Sequence, residues 1–122
     1  MQECKDWVVE IVEVRYTPGL DAPPDKPHPF LYSIRITNHS TQTITLRGRK
    51  WIIKEDDGDT RVIEGEGVIG ESPVFSYRDT FEYKSYHVVK HSATVQGAYF
   101  GQNDLGEMVF ARIPDFRLHV KS

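Results

Sequence analysis

Three clusters in the sequence have residue types that could do chemistry. The first is Gly65-Glu66-Gly67-Val68-Ile69-Gly70. Its glycines match by letter the G-x-G-x-x-G fingerprint that lets a backbone reach a pyrophosphate at a helix N-terminus. That fingerprint needs a strand before it and a helix after it. Here Glu71-Ser72-Pro73 follows, no helical pattern continues, and Glu64, Glu66 and Glu71 would repel phosphate. Loop conformation at positive φ is therefore the stronger reading of Gly65, Gly67 and Gly70. A nucleotide or pyrophosphate loop is the alternative. The second cluster is Arg47, Arg49, Lys50 and Lys54. It reads either as a patch for an anion or acidic partner, or as a charged edge strand that discourages aggregation. Period-two geometry separates Arg47 and Arg49 from Lys50 and Lys54 unless a bulge near Gly48 intervenes. The third is histidine. His87 and His91 have the i, i+4 spacing that suits a metal on a helix, but on extended chain that spacing does not bring the rings together.

Other chemistry lacks its signature. Asp56-Asp57-Gly58-Asp59 lacks the flanking helices of a calcium-binding loop and reads as a hairpin turn. There is no P-loop lysine motif and no Gly-x-Ser-x-Gly elbow. No catalytic residue, metal or cofactor is assigned, and the expected class is a non-catalytic binding module.

The elements that must position these residues are strands. Trp7–Tyr16, Phe30–Thr37, Thr43–Glu55, Thr60–Glu64, Asp79–Val89, Thr94–Gly101 and Met108–Ile113 are rich in β-branched and aromatic residues or alternate at period two. Phe116, Leu118 and Val120 alternate again beyond Pro114. In Phe30–Thr37, Phe30, Tyr32, Ile34 and Ile36 share one face. Ile44 and Leu46 have the opposite parity to Trp51 and Ile53, and a bulge near Gly48 would put both pairs on the core side. The proline-rich stretch 17–29 and the glycine-rich stretch 65–76 read as loops. Seven or eight antiparallel strands at this spacing predict an all-β sandwich, with Trp51, Tyr32, Tyr99 and Phe110 filling the space between two sheets.

The chain has 122 residues, which fits one domain spanning 1–122. A formal net charge of −3 argues against nucleic acid as a partner. One cysteine, Cys4, allows no internal disulfide. No apolar run has the length of a signal peptide or membrane span, so a reducing, cytoplasmic setting without a membrane is expected. The expected partner is a protein, held by the proline-rich loop, the Gly65–Ser76 loop, or exposed aromatics such as Tyr77, Tyr83 and Tyr86. An exposed edge strand also offers a route to a homodimer.

Several segments in order carry a resemblance to a family. They are Phe30-Leu31-Tyr32-Ser33-Ile34-Arg35-Ile36-Thr37-Asn38, Arg49-Lys50-Trp51-Ile52-Ile53, Gly65 to Val74, Phe81-Glu82-Tyr83, Gly97-Ala98-Tyr99 and Ile113-Pro114-Asp115-Phe116-Arg117-Leu118. Together they resemble the ApaG family, over about Tyr16 to Val120. The resemblance implies an immunoglobulin-like or fibronectin type III-like β-sandwich. Bacterial members are linked by name and gene context to dinucleoside polyphosphate metabolism and to cobalt and magnesium homeostasis, which is association and assigns no active site. The chain departs from the family pattern at Lys50, where histidine is usual, and at Ser92-Ala93, where glycine is common.

Overall fold

The structure is a computed structural model that describes residues 1–121. Its strands are β1 (Gln2–Glu3), β2 (Trp7–Tyr16), β3 (His28–Asn38), β4 (Ile44–Glu55), β5 (Thr60–Glu66), β6 (Val74–Phe75), β7 (Thr80–Val89), β8 (Ala93–Asn103) and β9 (Met108–Leu118). Among the described residues no helix is long and apolar enough to cross a membrane. Six strands form one sheet in the order β1-β9-β8-β4-β5, with β6 pairing the start of β4. The other three form a second sheet in the order β2-β3-β7. Seven long strands match the expected set. The two-residue β1 and β6 are too short to leave a period, and β1 pairs β9 in parallel rather than antiparallel.

The two sheets close on an aromatic interior. Phe30, Tyr32, Ile34 and Ile36 of β3 are all buried, as their alternation requires. Facing them, Ile44, Leu46, Trp51 and Ile53 of β4 are buried on one side despite their opposite parity. The register of β4 against β8 shifts between Leu46 and Gly48 and leaves Arg47 as the extra residue. The bulge thus restores a single core face. Trp51 sits at the centre, with ring centroids of His87 at 4.9 Å, Tyr32 at 5.2 Å, Phe116 at 6.1 Å and Tyr99 at 6.3 Å. Removing such a side chain costs about 4 kcal/mol in comparable cores.

Three expectations need correction. Phe110 does not fill the interior. It lies half-buried beneath the Arg112 guanidinium, while its neighbours Val109 and Ala111 face the core. Pro114 does not interrupt β9. The pairing of β8 with β9 skips from Val95–Phe116 to Gly97–Ile113, so Pro114 sits in a bulge where no ladder donor is required. The strand β5 runs on through Gly65 and Glu66, and Gly48 and Arg49 pair with them.

Polar groups tie the loop ends to this frame. Glu55 is a buried carboxylate at the end of β4. It accepts from Lys26 Nζ at 2.9 Å and from the backbone N–H groups of Lys90 at 2.9 Å and His91 at 2.7 Å. One side chain therefore fastens the proline-rich loop and the β7–β8 turn to the β4–β5 hairpin. Arg61 of β5 donates to the Val88 carbonyl at 2.6 Å and so links the two sheets.

Candidate functional site

The candidate ligand loop begins in the last two residues of β5 and leads across from the first sheet to the second. Gly65 lies under Arg49. A Cβ there would come within 2.7 Å of the guanidinium. Arg49 has the parity of Trp51 and Ile53, and its Nη1 donates to the carbonyls of Glu66 and Gly67, both at 2.9 Å. Gly67 has φ +60°, and a Cβ on it would stand 2.1 Å from the Glu71 carbonyl oxygen. Val68 and Glu71 then exchange two backbone hydrogen bonds of 2.9 and 2.8 Å around Ile69 and Gly70. Both turn residues have positive φ, 41° and 76°, which matches a mirror-image two-residue hairpin turn.

This geometry differs from a phosphate loop. The N–H of Gly67 is bonded to the Arg47 carbonyl at 2.9 Å, and those of Val68 and Glu71 to each other's carbonyls. The chain runs from strand to hairpin to strand, so there is no helix N-terminus to face an anion. Each glycine has a local cause: Gly65 the Arg49 contact, Gly67 the close approach of Glu71, and Gly70 the turn.

The bulge at Arg47 sets Arg49 on the core-side parity, apart from Arg47 and Lys50. Arg49 is spent on the two loop carbonyls. Its charge also opposes the rise that burial imposes on the hydroxyl pKa values of Tyr83 and Tyr99. Arg47, the bulge residue, is exposed and reaches Gln102 Oε1 at 3.3 Å. Lys50 stands half-exposed beside Glu64, 3.7 Å away.

Beyond the hairpin, the crossing segment is bolted down at some residues and presented at others. Val68 and Phe75 are plugs, 0% and 1% exposed. The buried Asn38 amide donates to the Phe75 carbonyl at 3.0 Å, and Arg78 N–H donates to the Asn38 carbonyl at 2.7 Å. Between these anchors Ile69, Val74 and Tyr77 stand 59%, 58% and 56% exposed. Arg78 stacks on the Tyr77 ring at 5.1 Å. The chain's two non-glycine residues with positive φ among those described, Ile69 at 41° and Arg78 at 71°, both lie in this segment. A β-branched residue in that region is strained.

Other expected contact residues fall elsewhere. Tyr83 is buried, and its hydroxyl meets that of Tyr99 between the sheets. Tyr86 is partly exposed on the second sheet. In the proline-rich loop Leu20 is half-buried and Lys26 is held by Glu55. His87 is buried between the Tyr32 and Trp51 rings. Burial, with the nearby Arg61 charge, drives its pKa down to about 3. His91 is exposed beside Asp57 at 3.4 Å, so the two histidines occupy separate settings. Sequence reasoning missed Glu55, which hides in an acidic run with no sign that it alone turns inward.

The ApaG domain family pattern matches residues 19–103 of this chain. Protein ApaG of Shewanella frigidimarina is 34% identical over 110 residues, covering 89% of this chain and 87% of its own length. Protein ApaG of Vibrio cholerae serotype O1 is 36% identical over 110 residues, with the same coverage of 89% and 87%. A solved structure described as the ApaA protein of Bordetella pertussis superposes with a TM-score of 0.84 at 27% identity, over 98% of each chain.

Proposed function

This chain belongs to the ApaG domain family, and from that premise we propose that it is a non-catalytic binding module that takes a protein partner on the segment from Gly67 to Arg78. The observation that carries the reading is the coincidence of exposure and strain. Ile69, Val74 and Tyr77 leave large apolar surface in water within one short segment. The same segment holds Ile69 and Arg78 in the left-handed region. Folding gains nothing from either feature, whereas an interface gains from exposed aromatic and aliphatic anchors on a rigid base. The base is rigid here because Val68, Phe75 and Asn38 are sunk in the core.

The experiment is a comparison of captured partners. Wild-type protein and the Ile69→Lys/Val74→Lys variant are used as bait in lysate from the source organism. Val62→Lys serves as the control, because Val62 is equally exposed on β5 but outside the segment. A protein that binds wild type and Val62→Lys, and is lost from the double variant, supports the reading. A partner that persists on the double variant, or that is lost only from Val62→Lys, overturns it.

A further inference from the structure

The strand β7 forms the outer edge of the second sheet, and no strand lies beyond it among the described residues. Two of the other edges are blunted, as sheets that avoid stray pairing require. The register of β2 skips at Val12, and β1 covers the outer side of β9 at Val109 and Phe110. The exposed side chains of β5 are Thr60, Val62, Glu64 and Glu66, with no basic group among them. By contrast β7 is long and regular. It pairs with β3 from Thr80 to Val89 without a register shift.

The backbone of that edge is open over a defined run. The Asn38 N–H donates to the Asp79 carbonyl at 3.0 Å, so the odd-numbered residues of the strand that follows face β3. Thr80, Glu82, Lys84, Tyr86 and Val88 therefore turn their N–H and C=O groups outward. Arg61 of β5 takes the Val88 carbonyl at 2.6 Å. The run left open extends from Thr80 to Tyr86, and its midpoint is Tyr83. The side chains of Thr80, Glu82, Lys84 and Tyr86 are all exposed along it. An unpaired edge of this kind is a template for one more strand.

The charges on this edge select what can pair with it. Glu82 accepts from Arg35 of β3, and Arg35 also lies 3.7 Å from Glu10 of β2. The row Glu10–Arg35–Glu82 thus alternates in sign across the sheet and stops at the edge on a carboxylate. The next row stops on Lys84, opposite the uncharged Ser33. A second copy laid antiparallel against β7 has several registers open to it. Centring the twofold axis on Glu82 or Lys84 sets like charges face to face, which destabilises a pair. Centring it on Phe81 or Ser85 sets Glu82 opposite Thr80, or Lys84 opposite Tyr86. Centring it on Tyr83 sets Glu82 opposite Lys84 twice over, and Thr80 opposite Tyr86. The register that the charges favour is also the one that uses the whole open run.

We propose that β7 is a self-association edge, on which two copies of this chain pair Thr80–Tyr86 antiparallel about a twofold axis at Tyr83. Their three-stranded sheets join into one continuous sheet, and each opposed Glu82–Lys84 pair exchanges two backbone hydrogen bonds. The surface shares no residue with the Gly67–Arg78 segment. An isologous contact of this kind consumes both edges and closes at two copies. The bulge in β2 withholds the opposite edge of each sheet from further addition. One added strand pair falls short of the roughly 1,200 Å² that stable complexes bury, so the dimer is reversible and forms at high concentration.

The test is a concentration series of the full chain, from roughly 10 μM to 1 mM, read by sedimentation velocity and amide chemical shifts. A monomer–dimer equilibrium is expected, with shifts centred on Thr80 to Tyr86. Lys84→Glu, at an exposed position, sets carboxylates face to face and is expected to weaken the dimer at least about tenfold. Glu82→Lys does the same with two cations. Mixed in equal amounts, these two variants restore unlike charges at every opposed pair, and association about as tight as wild type is expected. Val62→Lys, on the β5 edge, is expected to leave the dimer unchanged. The proposal is overturned if the protein stays monomeric throughout, if the shifts centre on β5 or on Gly67–Arg78, or if species larger than a dimer accumulate. It also fails if Lys84→Glu associates as wild type does, if Val62→Lys weakens the dimer equally, or if the two folded charge variants gain nothing by mixing. If loss of the Arg35 contact unfolds Glu82→Lys, the comparison of Lys84→Glu with Val62→Lys decides alone.

Discussion

Ile69 holds a β-branched side chain at φ 41° with most of its surface in water. Asparagine tolerates that backbone better and, before Gly70, makes the pair this turn prefers. Ile69→Asn is therefore expected to raise stability by about 1 kcal/mol in urea unfolding, while removing an apolar tip from the proposed interface. Gly67→Ala has the opposite sign. Its Cβ meets the Glu71 carbonyl oxygen, and the same measurement should show a loss of more than about 2 kcal/mol. Glu55→Ala strands two backbone donors and a partly buried Lys26, a loss of about 3 kcal/mol. Burial alone would raise the Glu55 pKa. The bonds from Lys26, His91 and Lys90 outweigh it and hold the carboxyl below its ordinary value of 4.5. Its contribution is thus complete above that pH and fades as pH falls through the lower, folded value. His87 acts earlier on the same descent. Its pKa falls from 6.5 to about 3 on folding, so the unfolded chain takes up a proton first and stability drops as pH falls below 6.5. Melting temperatures against pH should show this slope in wild type and lose it in His87→Phe.

At the scale of strands, the hydroxyls of Tyr83 on β7 and Tyr99 on β8 join the two sheets across the core. Tyr83→Phe or Tyr99→Phe alone leaves one buried hydroxyl without its partner and should cost about 1–2 kcal/mol. The double variant removes both, and a double-mutant cycle should find it less damaged than the sum. The sequence made most strands readable, because Phe30 to Ile36 and the parity slip between Leu46 and Trp51 leave marks that only extended chain explains. The β2 bulge left none. Its register against β3 skips Val12, but WVVEIVEVRY carries apolar residues on both parities, so a slip there changes no pattern. Phe110 and Tyr83 misled for one reason: residue type does not say which side of a strand meets the core. The glycine fingerprint could be read as non-helical from Pro73, but Arg49's turn onto the loop carbonyls could not. It depends on the bulge at Arg47 having already reset the parity of β4.

For the molecule as a whole, sequence-distant pairing dominates. The neighbours β1 and β9 join opposite ends of the chain, and β3 lies between β2 and β7. Such topology closes large loops before contacts repay them, so refolding should take milliseconds to seconds rather than microseconds. Stopped-flow fluorescence reads this directly, because Trp7 and Trp51 are 2% and 1% exposed and report on core formation. The hairpin tip at Ile69–Gly70 divides the chain so that each part supplies strands to both sheets, β7 to the second and β8 and β9 to the first from the later part. A protease that nicks this tip would therefore sever the covalent thread without parting the halves. The two pieces should leave a gel-filtration column together until denaturant is added. If they are also made separately and recombine, the tip is a natural place to split the molecule into complementing fragments.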